Sequence, residues 1–181
     1  MCAQARISMP VCICVYPYTY KFLHKQARIC MSTEPVFTPD GKKIYFVSDR
    51  SGSPQIYRIS LSGGTAQRIT FNGINNTSPA LSPDGNLMAF ISKFDGKCQL
   101  MLLDFTSGKI TSLTDSKFDS KPSFAPNGKL ILYTTRVQGK DSMAINREIL
   151  MTTTLDGVTR FQIARNSPTS NEPHWGPFLM P

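Results

Sequence analysis

Short apolar runs alternate with polar turns along most of this 181-residue chain, and they recur in one order. An apolar pair, a turn on Pro-Asp-Gly or Pro-Asn-Gly, and a β-branched or aromatic run follow one another three times. Val36-Phe37 leads through Thr38-Pro39-Asp40-Gly41 to Ile44-Tyr45-Phe46-Val47. Ala80-Leu81 leads through Ser82-Pro83-Asp84-Gly85 to Leu87-Met88-Ala89-Phe90-Ile91. Ser123-Phe124 leads through Ala125-Pro126-Asn127-Gly128 to Leu130-Ile131-Leu132-Tyr133. Two apolar runs joined by such a turn predict a β-hairpin. Pro pre-sets φ at the second turn position, Asp or Asn tolerates the third, and Gly takes the left-handed conformation that closes the loop.

Each hairpin is followed by two further candidate strands. In the first unit these are Gln55–Ile59 and Ala66–Thr70, turning at Gly63-Gly64. In the second they are Gln99–Leu103 and Lys109–Thr114, turning near Gly108, and in the third Glu148–Thr152 and Thr159–Ile163, turning at Asp156-Gly157. The turn prolines are preceded by a second proline that recurs with them. Pro35 to Pro79 is 44 positions, Pro79 to Pro122 is 43, and Pro122 to Pro173, in a closing Asn171-Glu172-Pro173-His174-Trp175, is 51. Four short antiparallel strands in a unit of this length are the blade of a β-propeller. A β-sandwich gives no reason for one turn to recur in register. The expected fold is therefore all-β, with about three four-stranded antiparallel blades and a C-terminal stub. Propellers close with about 4–8 blades, so an open wedge leaves two faces uncovered. At roughly 500 Å² each, about 12 kcal/mol of apolar burial is forgone per face. The expectation is an incomplete propeller over residues 32–181.

Residues 1–31 stand outside the repeat. They hold Cys2, Cys12, Cys14 and Cys30, and carry Arg6, Lys21, Lys25 and Arg28 with no acid, half of the net charge of +8. Their apolar patch, Met9 to Tyr20, is broken by Pro10 and Pro17 and lacks the clean core and small-residue cleavage site of a secretory signal. Cys12, Cys14, Cys30 and His24 match no zinc spacing. The segment reads as a non-homologous leader, disordered or accidental. Within the repeats the charge is mixed, with no basic stripe interleaved with aromatics as a nucleic-acid groove requires. Cys98 is the one cysteine there and reads as a small hydrophobe at a strand start.

No nucleophile elbow, phosphate loop, His-Glu-x-x-His or calcium-loop spacing occurs, and the aspartates fall mainly at turns. No cofactor or metal is expected. A rigid scaffold with variable loops points to binding. Topology puts the Pro-Asp-Gly turns on one rim. The opposite rim takes the inter-blade stretches Phe71 to Thr77, Asp115 to Lys121 and Asn166 to Glu172, which are longer and polar.

Several runs carry a resemblance. Thr33-Glu34-Pro35, Ser48-Asp49-Arg50-Ser51-Gly52-Ser53-Pro54-Gln55-Ile56-Tyr57, Gly63-Gly64 with Gln67-Arg68-Ile69-Thr70, and the ending Pro173-His174-Trp175-Gly176-Pro177-Phe178 are similar to the later blades of the TolB family. That family comprises periplasmic propellers of the bacterial Tol–Pal system, and the resemblance covers only its C-terminal half. It implies a six-bladed propeller that binds the peptidoglycan-associated lipoprotein Pal and supports outer-membrane integrity in the periplasm, without catalysis. The implied docking positions are Thr33, Glu34, Asn76, Thr77, Ser120, Lys121, Asn171 and Glu172. Lys121 is a departure, since family members often carry an acid there, and no counterpart of the family's TolA-engaging domain is found. Two other readings remain open. One is the propeller of a prolyl-oligopeptidase-type serine peptidase, which would continue into a hydrolase domain. The other is a truncated, inactive gene product. Self-association through open blade faces is also expected.

Overall fold

The computed structural model describes residues 32–137, 147–164 and Trp175. The leader, Asn171, Glu172 and the closing stub apart from Trp175 lie outside them. The described residues build three four-stranded antiparallel sheets, each meandering in chain order. The first blade is β1 (Ser32–Phe37), β2 (Lys43–Ser48), β3 (Gln55–Ser60) and β4 (Gln67–Arg68). The second is β5 (Asn75–Leu81), β6 (Leu87–Phe94), β7 (Lys97–Asp104) and β8 (Ile110–Ser112). The third is β9 (Asp119–Phe124), β10 (Leu130–Val137), β11 (Arg147–Thr154) and β12 (Arg160–Ala164). First strands neighbour one another, β1 beside β5 and β5 beside β9. This is the radial arrangement of propeller blades, with β1, β5 and β9 innermost.

Period-two alternation sends successive side chains to opposite faces of a blade, and both faces are used. Tyr45, Val47 and Ile56 of the first blade pack with Met88, Phe90 and Leu103 of the second. Ala89, Ile91, Leu100 and Leu102 point the other way and meet Phe124, Ile131 and Tyr133 of the third blade. Ile44, Phe46 and Tyr57 form a separate buried cluster on the remaining face of the first blade. There the Arg50 guanidinium lies 5.2 Å above the Phe46 ring and 4.7 Å above that of Tyr57. Cys98 is half-buried against the second seam, as a small hydrophobe would be. On the outside, Arg160 of the third blade pairs with Asp115 after the second at 2.8 Å, and this guanidinium holds the Asp115 carboxyl below its usual range.

The hairpin turns stack on each other. A side-chain carbon at Gly85 would sit 3.4 Å from Cδ of Pro39 in the preceding turn, and one at Gly128 would sit 3.6 Å from Cδ of Pro83. At Gly157 such a carbon would come within 2.7 Å of the Leu113 carbonyl oxygen of the neighbouring blade.

Two expectations are corrected. The fourth strands are shorter than the apolar pattern suggests, reduced to Gln67–Arg68 and Ile110–Ser112 in the first two blades. The ladder gives way because a side chain takes over: the Thr70 hydroxyl accepts the Ile56 N–H at 3.0 Å, and the Thr114 hydroxyl accepts that of Leu100 at 2.9 Å. In addition, Asn75–Thr77 and Asp119–Lys121 are not loop but the opening of innermost strands.

Candidate docking groove at the innermost strands

The repeated proline explains the shape of this region. Proline cannot donate to a ladder and is confined to sheet edges and bulges, and the innermost strand of a blade is an edge. In β1 the pairing steps from Thr33↔Val47 to Val36↔Tyr45, so Glu34-Pro35 bulges opposite Phe46. Ser78-Pro79 bulges opposite Phe90 and Lys121-Pro122 opposite Tyr133 in the same way. Each bulge thus faces an aromatic of the buried core. The first bulge residue is left-handed in all three blades, with φ of 53° at Glu34, 53° at Ser78 and 50° at Lys121. That conformation disfavours a side chain, and a following proline biases its neighbour toward extended backbone. Each position stores about 1–3 kcal/mol of strain.

The three strained residues line one groove of about 470 Å³ running across the innermost strands. Its apolar lining comes from Val36, Ala80, Leu81 and Phe124, with Pro79 and Pro122. Glu34 reaches over to the next blade: its carboxylate accepts the Ser78 N–H at 2.6 Å and the Ser78 hydroxyl at 3.2 Å.

Of the expected docking residues, Thr33, Glu34 and Lys121 are exposed, while Thr77 and Ser120 are half-buried. The Ser120 hydroxyl shares a hydrogen bond of 2.7 Å with that of Thr134. Asn76 differs from the rest. It is 0% exposed, and its amide donates to Gln55 Oε1 at 2.7 Å and to the Asn72 carbonyl at 2.6 Å. Gln55 also accepts the Thr70 hydroxyl at 2.9 Å, so Asn76 braces the rim from beneath. Asp119 holds the matching position in the next blade, 3% exposed, and accepts hydrogen bonds from the Thr114 and Ser116 hydroxyls and the Leu100 N–H.

Sequence reasoning passed over two features. Ser78 is absent from the docking positions that the sequence implies, although the pre-proline position in every unit was the available signal. Phe71, Ile74 and Phe94 are 69%, 58% and 65% exposed. They belong to the inter-blade stretch and to the end of β6, and their apolar character within a polar stretch was the clue. The Arg68 guanidinium lies 5.1 Å above the Phe71 ring.

Four-stranded meandering blades with neighbouring first strands, and an open groove across those strands, define a β-propeller scaffold. The sequence profile described as the TolB beta propeller domain matches residues 21–179. The chain is 51% identical over 148 residues to the Tol-Pal system protein TolB of Bordetella pertussis, covering 82% of this chain and 32% of that protein. It is 45% identical over 124 residues to the protein of the same name from Nitrosospira multiformis, covering 67% and 27%. Among solved structures, TolB from Acinetobacter baumannii superposes with a TM-score of 0.68 at 34% identity, over 81% of this chain and 34% of that one. The chain belongs to the TolB β-propeller family, and it spans about a third of the length of these relatives. Acylaminoacyl peptidase from Pyrococcus horikoshii, at 14% identity and a TM-score of 0.58, shares the fold alone.

Proposed function

We propose that this chain is a non-catalytic protein-docking module of the Tol–Pal system. It binds a Pal-type lipoprotein in the periplasm and so supports outer-membrane integrity. The docking surface is the rim of Thr33, Glu34, Thr77, Ser120 and Lys121, shaped by Asn76, and the family resemblance assigns Asn171 and Glu172 to the same role. The observation that carries this reading is the repeated strain at Glu34, Ser78 and Lys121 around one groove. Strain of this kind persists where surrounding structure over-determines it, and it clusters at functional sites. The names of the relatives supply the system. Exposed Phe71, Ile74 and Phe94 supply apolar area of the kind that anchors interfaces.

Capture of the soluble domain of a Pal lipoprotein by the immobilised chain tests the reading. Glu34→Ala and Glu172→Ala should each weaken capture by about tenfold, the scale on which a residue that matters to a docking surface counts. Equal capture by wild type and both variants would remove these residues from the proposal. No capture by the wild type would remove the partner.

A further inference from the structure

We infer that Glu34 serves the docking rim as a positioning residue, acting through Ser78 of the next blade; this rests on the docking role proposed above. Both of its carboxylate oxygens are committed to one residue, Oε2 to the Ser78 N–H at 2.6 Å and Oε1 to the Ser78 hydroxyl at 3.2 Å. Ser78 is the residue whose conformation needs support. It is left-handed at 53°, precedes a proline, and stands in a bulge opposite buried Phe90. Left unsupported, a serine before proline relaxes toward extended backbone. That motion would straighten the bulge and shift Pro79 and Ala80, two walls of the groove.

The clasp joins residues 44 positions apart, one full repeat, and links the innermost strands of two blades at the groove itself. A charge-assisted acceptor for a backbone N–H is stronger than a neutral one. The carboxylate is thus suited to hold a strained backbone that a neutral side chain would release. Among the described residues the matching positions are Ser78 and Lys121, neither of them acidic.

The test uses the full chain and the soluble domain of a Pal lipoprotein, with Glu34→Ala, Glu34→Gln and the double variant Glu34→Ala/Ser78→Gly. Glycine adopts the left-handed conformation without steric cost, so it should supply the geometry when the carboxylate is gone. The expected result is a loss of about tenfold in affinity for Glu34→Ala, a smaller loss for Glu34→Gln, and recovery of most of it in the double variant. If Glu34 instead touches the partner directly, glycine at 78 restores nothing, and that outcome overturns the inference. Amide exchange at Ser78 gives a reading independent of the partner. Its N–H should exchange faster in Glu34→Ala than in the wild type, and unchanged protection overturns the clasp. If the wild type fails to bind while Ser78 loses protection on truncation, the docking proposal fails and the clasp stands.

Discussion

At the scale of single residues, the hairpin turns are built on hydroxyl–carboxylate pairs that make their stability depend on pH. The Thr38, Ser82 and Thr154 hydroxyls each donate to the aspartate two positions on, and backbone N–H groups add to the effect. These hydrogen bonds hold the carboxyls of Asp40, Asp84 and Asp156 below the ordinary 3.8. A carboxyl lowered by folding contributes stability that is fully present above its unfolded value. The contribution is lost as pH falls through the lower folded value. The urea midpoint should therefore fall between about pH 5 and about pH 3, and Asp84→Asn should lower it at the higher pH while making that fall shallower. An unchanged slope would show that the turns do not titrate with folding. In the third turn Asn127 accepts the Lys129 N–H at 2.9 Å and carries no proton to titrate. The turn chemistry was legible in the sequence because Pro, Asp and Gly each have one conformational use. The left-handed Glu34, Ser78 and Lys121 were not, because a non-glycine before proline reads as extended. Only the pairing with Phe46, Phe90 and Tyr133 reveals the bulge.

Among the elements, each blade is held by core side chains that reach a neighbour. Leu100 in β7 is fully enclosed at the second seam, whereas Val158 in the outer hairpin of the third blade is 80% exposed. Leu100→Ala should lower unfolding free energy by about 2–5 kcal/mol, and Val158→Ala should stay within about 0.5 kcal/mol. Chemical denaturation measures both, and equal effects would deny that the seam is packed. Strands two and three were readable from β-branched and aromatic alternation. The polar openings of β5 and β9 were not, since Asn-Asn-Thr-Ser and Asp-Ser-Lys have little strand preference of their own. They pair because β6 and β10 extend to Phe94 and Val137 and offer them a ladder. The clipped fourth strands escaped notice for the opposite reason, since the Thr70 and Thr114 hydroxyls replace ladder carbonyls that the pattern alone would supply.

Over the whole molecule, the repeat was legible as architecture because stacking demands it. Gly85 sits on Pro39 and Gly128 on Pro83, so the same turn residues must return at the same place in each blade. The groove was not legible, since it exists only once β1, β5 and β9 stand side by side and their three bulges face one space. The central claim is that a partner docks on these innermost strands and not on the turn-bearing rim. Amide exchange read by mass spectrometry, with and without the soluble domain of a Pal lipoprotein, tests it most directly. Peptides carrying Ser32–Phe37, Asn75–Leu81 and Asp119–Phe124 should gain protection, while those confined to the Pro-Asp-Gly turns should not. Protection of the turns with the innermost strands unchanged would contradict the account.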